Sequence, residues 1–527
     1  MNFANTEQIN EVLALVKSRR EEIKNSPSVY PVGKNTYFVD SLCGSDKNSG
    51  KSPETAWRSL EKVAYADIHE DDVVLFRRGC RFRGELRALE GVTYSAYGEG
   101  PKPEMLGSID ASDPDDWVQT NVPNVWLFRP MIAYVKEVGS IIFDEGRCWG
   151  IKICRNWQTG ERCDMFRNTR DPKNAEMTVF NGRSYVEREC KPFNSLSDIK
   201  GDLEFFHHYW GMDGMMPDHL YLNCPDGNPA EVFGRVEISL RYSIFTVVGD
   251  NVTIDNIAFK YAGVHGISAG GYRKNLTVRN CEFSFIGGSG IAPERYLMKY
   301  NPPYSHDTTR LGNGVEIYGT CDGFTVENCW FDQIYDTAIT AQVHIDKDAA
   351  QPLHMKNVRW CNNVFYKCYN SWELWLSIND NDGSLGEMKN IDAAGNITLN
   401  GGFGWSHQRP DPTYADWLMW GKTPAMCHFE NCGVHDNVIL NSKRYIMHSA
   451  SIGQSKVRFF GNTVIHGGKL GLLPETLEPA TLPLKSFEIS DENLALLEEK
   501  GVWENNKFYK LEAEQSGVDG FNPPIDL

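Results

Sequence analysis

The strongest constraint on this chain is a short pattern that recurs through its second half. It reads Val252-Thr-Ile-Asp-Asn-Ile-Ala-Phe259, Leu276-Thr-Val-Arg-Asn-Cys-Glu-Phe283 and Phe324-Thr-Val-Glu-Asn-Cys-Trp-Phe331. Weaker copies follow at Val358–Phe365, Gly395–Leu399, Asp436–Ile439 and Val457–Val464. Each copy has two short alternating stretches around an Asn or Gly corner, and none has the apolar spacing of a helix. A unit of about 24 residues cannot bury its own apolar face, but stacked units share a continuous core. The pattern therefore predicts a parallel β-solenoid. Asn tolerates the tight backbone of a corner, and stacked Asn side chains can hydrogen-bond along the axis. That stack is structural, and the N-x-T sequons at Asn251, Asn275 and Asn396 within it need no glycan.

A further strand follows each copy: Gly266–Gly270, Gly290–Glu294, Val315–Tyr318, Ala338–Gln342, Glu373–Ser377, Trp405–Arg409 and Tyr445–His448. If these are equivalent they form one parallel sheet, with neighbours ~4.8 Å apart. Alternation places Val315, Ile317, Ile339, Ala341, Leu374 and Leu376 inside. Glu316, Tyr318, Thr340, Gln342, Glu373 and Trp375 then point outward, and a slip of one residue would reverse them all. The irregular stretches Arg295–Gly314, Ile345–Met355 and Pro410–Met426 are expected to gather on one face as binding loops on a rigid scaffold.

In the first half, Tyr37–Gly50 is read as a strand entering a turn-rich loop, Pro53–Ala66 as a short helix, and Asp72–Phe76 as a buried strand. The stretch from Tyr37 through Ala56-Trp57-Arg58-Ser59-Leu60, Arg77-Arg78-Gly79 and Tyr97-Gly98-Glu99-Gly100 resembles the N-terminal cap of right-handed parallel β-helix proteins of the pectin-lyase type. Cap and repeats together cover roughly two thirds of the chain. The resemblance implies an all-β fold: a right-handed parallel β-helix with a β-rich insertion and a short N-terminal helix. The expected divisions are an N-terminal helical segment at 1–30, a cap with first coils at 31–107 and the insertion at 108–237. The β-helix with its active-site loops then occupies 238–470, and a C-terminal segment 471–527, with a short helix at Asp491–Lys500. Similar insertions occur in β-helix glycoside hydrolases.

Charge and composition narrow the partners. With 53 basic and 70 acidic side chains among 527 residues, the formal net charge is −17. Such a surface repels nucleic acid and anionic membrane. The N-terminus lacks an apolar run of signal-peptide or membrane-spanning length; Ile9, Val12, Leu13, Leu15 and Val16 instead mark an amphipathic helix. The expectation is a cytoplasmic protein. The 14 Cys contain no C-x-x-C pair, which disfavours structural zinc and a redox motif, so these thiols are expected to be buried and reduced. No phosphate-binding G-x-G-x-x-G opens a helix, no G-x-S-x-G elbow is present, and His306, His344 and His354 are too scattered for a metal site. The chain is expected to need no metal or organic cofactor.

Carboxylates concentrate on the outward face: Glu316 on its strand, Asp336 just before the next, Glu373 on the one after, and Asp380, Asp382 and Asp411 on later loops. Acids on adjacent coils would be on the order of 5–9 Å apart, which spans both retaining and inverting glycosidase geometry. In Gly401–Asp411, glycines allow close approach, Trp405 offers a flat apolar plate, and His407 and Arg409 offer donors, a mix suited to a sugar ring. This stretch, with Tyr335–Gln342, resembles patterns in β-helix glycoside hydrolases, and the resemblance implies Asp336, Glu373, His407 and Arg409 as site positions.

The leading expectation is a glycoside hydrolase acting on a short, neutral oligosaccharide in a loop-built pocket. Asp336, Glu373 and Glu316 are its catalytic candidates, with Asp336 and Glu373 as the pair and Glu316 as the substitute. Gln342, Trp375, Trp405, His407 and Arg409 are the substrate-binding candidates, with Trp372 as a further platform. A polysaccharide lyase or uronate epimerase on the same fold is the alternative, drawing on Arg295, Lys299, Arg310 and Arg409 to neutralise a substrate carboxylate. The acidic outward row disfavours it. A non-catalytic carbohydrate-binding solenoid is the third reading.

Overall fold

The computed structural model describes residues 2–155, 161–163, 178–180, 183–185, 191–208, 212–290, 310–344, 354–377, 386–405, 415–421, 427–442, 445–449, 457–466, 473–474, 503–511 and 527.

The repeated pattern becomes two strands and a corner. In its first copy Thr253–Asp255 joins one long parallel sheet and Ala258–Lys260 joins a second, and Asn256 between them has φ of 58°. The same corner is left-handed at Asn280, Asn328 and Asn362, and at Gly395, Asp436 and Gly461 in the weaker copies. Only Gly, Asn and Asp adopt this conformation at low steric cost, which explains the restricted choice there. A third strand, such as Ile267–Gly270, enters a third sheet before the next coil begins at Arg273–Arg279. Among the described residues the three sheets contain 11, 10 and 9 strands in that order. Pairing runs parallel from coil to coil. The fold is all-β and solenoid-like.

The last residue of each of the first four copies faces the interior. Phe259, Phe283, Phe331 and Phe365 are paired in register and stack with ring centroids 5.1, 4.7 and 5.4 Å apart. Burying one such ring contributes roughly 1.5–3 kcal/mol, which accounts for the recurring Phe. The residue after the corner changes along the axis, from Ile257, Cys281 and Cys329 to Asn363, Asn396, Asn437, Asn462 and Asn506. Each of the first four amides donates to the next amide oxygen, at 3.0, 3.0, 3.0 and 2.9 Å. Each also donates to a carbonyl of the preceding coil, as Asn437 does to Ala393 at 2.9 Å. The buried polar atoms are thereby satisfied.

The N-terminal helix, Thr6–Lys24, starts from an Asn5 capping box and buries Val12, Val16 and Ile23. These pack on Trp330, Val364, Ile397 and Leu440 of the second sheet's outer face. Leu15, expected on the apolar stripe, is exposed because the helix turns that position to solvent. The single helix expected over Pro53–Ala66 is instead a 3-10 turn, Pro53–Thr55, and a helix, Leu60–Ala64. Between them Asp46 accepts the main-chain N–H groups of Arg58 and Ser59, at 2.8 and 3.0 Å, and holds the chain extended.

Between residues 108 and 240 the chain leaves the solenoid. Val138–Phe143 pairs antiparallel with Cys148–Trp149 and Val236–Leu240, while Glu204–His208, His219–Asn223 and Val125–Phe128 build a second small sheet. This unit has its own core around Phe128, Phe143, Phe205 and Phe233. It leans on the solenoid through Trp149 and Ile151, which cluster with Phe285, Tyr335 and Trp405. The Asp491–Lys500 helix lies outside the described residues. Among the described cysteines only Cys43 is exposed. No helix among the described residues is long and apolar enough to cross a membrane.

Candidate active site

The third sheet carries the site. Ser268, Glu316, Thr340 and Glu373 are aligned by register on successive strands, Ile267–Gly270, Val315–Tyr318, Thr337–His344 and Asn370–Ser377. Their inward neighbours Val315, Ile317, Ile339, Ala341, Leu374 and Leu376 are all in the solenoid core. This is the alternation read from sequence. Glu316 and Glu373 stand two strands apart, roughly 9–10 Å between main chains, with Thr340 between them. A second outward row holds Tyr318, Gln342 and Trp375. Thr340 and Glu316 are buried although they point away from the core, so this part of the outer face is enclosed.

A column of polar residues at the start of these strands fixes the acids. The Asn313 main-chain N–H donates to His265 Nδ1 at 3.0 Å, and the Thr337 N–H donates to Asn313 Oδ1 at 2.9 Å. Asn370 Nδ2 then donates to Thr337 Oγ1 at 3.2 Å. Each side chain thus ties its own coil to the next. Gly312 makes the turn before Asn313 possible: its φ is 148°, and a Cβ there would lie 1.9 Å from Gly287 Cα.

Glu316 sits in a cradle of donors. Asn313 Nδ2 donates to its Oε2, Gln342 Nε2 donates to the same oxygen at 3.2 Å, and His265 Nε2 lies 3.5 Å from Oε1. Glu373 is held differently. Its Oε2 accepts from the Thr340 hydroxyl at 3.2 Å and faces the Thr337 hydroxyl at 3.4 Å. Burial, helped by the charge of Glu316 and opposed by the two hydroxyls, pushes the Glu373 carboxyl up to about 7. Two acids in unlike surroundings can divide the labour of acid and base catalysis.

Asp336 lies at the start of the same region. Thr337 Oγ1 is 3.5 Å from Asp336 Oδ1 and 3.4 Å from Glu373 Oε2, so those two carboxyl oxygens are at most about 7 Å apart. One hydroxyl proton cannot serve both acids at once. The structure therefore gathers Asp336, Glu373 and Glu316 around Thr337 and Thr340, with Gln342 bonded to one acid. Trp375 is half-buried on the outward row.

Two aromatic expectations are corrected. Trp405 is fully buried, packed on Tyr335 at a centroid distance of 5.0 Å, with its Nε1–H on the Gln333 carbonyl at 2.5 Å. It supports the wall behind Asp336 and presents no plate to a sugar. Trp372 is also buried, because it shares the parity of Leu374 and points into the solenoid, stacked on Trp417 at 6.2 Å. Arg310 is buried as well, its Nε donating to Tyr335 Oη at 2.8 Å. His407, Arg409, Arg295, Lys299, Asp380, Asp382 and Asp411 lie outside the described residues. Sequence reasoning missed His265, Asn313 and Thr337. Aligning the residues two positions before each first inward residue would have found them, since His265, Asn313, Thr337 and Asn370 form one polar column. Among the described residues no group of three or more His, Cys, Asp or Glu side chains is placed to hold a metal ion.

No known family profile matches the chain, and no curated protein matches it. Among solved structures it is similar to XylC in complex with xylose, at 14% identity over 90% of this chain and 82% of that one, with a TM-score of 0.40. It is also similar to the GH136 lacto-N-biosidase from Eubacterium ramulus, at 11% identity over 96% of this chain and 72% of that one, with a TM-score of 0.39. A third structure, of a glycoside hydrolase, aligns at 11% identity over 91% of this chain and 99% of that one, with a TM-score of 0.37. Overlaps this loose carry neither fold nor activity from those proteins to this chain.

Proposed function

We propose that this chain is a glycoside hydrolase built on a right-handed parallel β-helix, cleaving the bond of a short, neutral oligosaccharide. One observation carries the reading: two carboxyl groups share an outward row, one cradled by donors and the other pushed up to about 7 by burial. Glu373 is the proton donor to the leaving oxygen. Glu316 is the ionised partner, acting at the sugar carbon directly or through water, with Asp336 as a third acid beside them. Such general acid catalysis works best when the acid titrates near the working pH. Gln342 and Trp375 supply an amide and an aromatic edge to the substrate.

A lyase or epimerase must neutralise a substrate carboxylate, and among the described residues the charge that acts on Glu373 is that of Glu316, not of a Lys or Arg. The test is product chemistry on a panel of neutral and uronate-containing oligosaccharides. Hydrolysis releases a reducing end without new ultraviolet absorbance, whereas β-elimination creates an absorbing unsaturated sugar. Elimination products, or binding without turnover, would overturn this reading.

A further inference from the structure

We propose that His265 is a positioning residue: held as the neutral Nε2–H tautomer, it directs its proton at Glu316 and so keeps the proton of the acid pair on Glu373. The consequence for catalysis rests on the hydrolase reading above; the placement of the proton does not.

The tautomer follows from geometry. The Asn313 main-chain N–H points at Nδ1 from 3.0 Å, so Nδ1 is an acceptor and the neutral ring must carry its hydrogen on Nε2. Protonating Nδ1 would set two N–H groups against each other. Burial acts in the same direction, lowering the imidazole's affinity for a second proton, with the Glu316 charge opposing it. Nε2 faces Glu316 Oε1 at 3.5 Å, on the oxygen that Asn313 and Gln342 leave untouched. Two amide donors on Oε2, with the ring Nε2 facing Oε1, favour the carboxylate form, and none of the three can accept a carboxyl proton.

Glu373 has only hydroxyl partners, both on Oε2, and its Oε1 is left without a protein partner among the described residues. A hydroxyl can donate to a carboxylate or accept from a carboxylic acid, so this site tolerates either state. With one proton for two acids, the asymmetry of donors sends it to Glu373. Among the described residues, the titratable groups facing this cluster are Glu316, Glu373 and Asp336 around the third sheet, and His265 itself.

Protein labelled with carbon-13 at glutamate Cδ and nitrogen-15 in histidine tests this without any substrate. His265 is assigned by the signal lost in His265→Gln, and Glu373 by the signal lost in Glu373→Gln. The expected His265 spectrum is that of an uncharged ring protonated at Nε2, unchanged across the range where an ordinary histidine titrates. In His265→Phe the Glu373 titration should fall by about one pH unit, because the Glu316 carboxylate loses the ring that faces it. His265→Gln, whose amide can again donate to Glu316, should restore it. Asn313→Ala keeps the main-chain N–H but removes a cradle donor, and should lower Glu373 in the same direction. A ring protonated at Nδ1, an imidazolium at neutral pH, or a Glu373 titration unmoved in both His265→Phe and Asn313→Ala would overturn the proposal. Failure to hydrolyse any glycan would remove the hydrolase reading while leaving these spectra to decide the role of His265.

Discussion

Glu316 and Glu373 stand on the same outward row of one parallel sheet with Thr340 between them, and only Glu373 bonds to that threonine. The two acids are thus equivalent in backbone position and unlike in partners. Removing either titrating proton while keeping shape should separate their roles. Glu373→Gln should lower kcat by about 10²–10⁴-fold, the usual range for a general acid. Glu316→Gln should be as damaging, and both variants should melt near the wild-type temperature. Near-wild-type turnover in either one on a hydrolysed glycoside would exclude that residue.

The rate should depend on pH in a definite direction. Glu373 must be protonated to act, and its carboxyl is pushed up to about 7. Activity should therefore persist through mildly acidic pH and fall as pH rises through about 7, in a profile of kcat/KM. Thr340→Val removes a hydroxyl that lowers this value, so the falling limb should move to higher pH. A falling limb that moves the other way, or does not move, would contradict the role given to Thr340.

Asp332 offers a test of stability rather than catalysis. It lies on the second sheet between Trp330 and Ile334, and burial pushes its carboxyl up to about 6, opposed by Lys367, Arg20 and Lys260. Its folded value is above the unfolded one, so the folded state binds the extra proton. Stability should rise as pH falls through about 6 and be lowest, on this account, at neutral pH and above. Asp332→Asn should stabilise the protein by about 1–2 kcal/mol at neutral pH and flatten that dependence. Urea titrations at several pH values would measure both.

The Asn ladder makes a structural prediction. Asn437 Oδ1 accepts the Asn396 N–H at 2.9 Å, and its Nδ2 donates to Ala393 and Asn462 at 2.9 and 3.0 Å. Asn437→Ala strands those partners inside the core and should cost about 2–4 kcal/mol. Asn437→Asp keeps the acceptor but loses both donors, and should be no better. A denaturation midpoint within error of wild type in Asn437→Ala would show that the ladder contributes little.

Much of this architecture is legible in the residues themselves. A strand corner that must be left-handed admits Gly, Asn or Asp, so the corners are printed along the chain as Asn256, Asn280, Asn328 and Asp436. The inward Phe of the first four copies and the alternation around Glu316, Thr340 and Glu373 follow from a period of two, which depends only on neighbours in the chain. These are local properties, and sequence alone determined them, together with the outward placement of Glu316 and Glu373. What lay beyond it depends on contacts between distant segments. Trp405 looks like a sugar plate in isolation, but Tyr335 and Gln333, about 70 residues earlier in the chain, enclose it and take its N–H. The Glu316 cradle joins His265, Asn313 and Gln342 from three different coils, and the raised Glu373 carboxyl comes from burial that no single strand supplies. Tertiary structure decided which acid is solvated and which is starved of donors, because hydrogen bonding and desolvation act through space rather than along the chain.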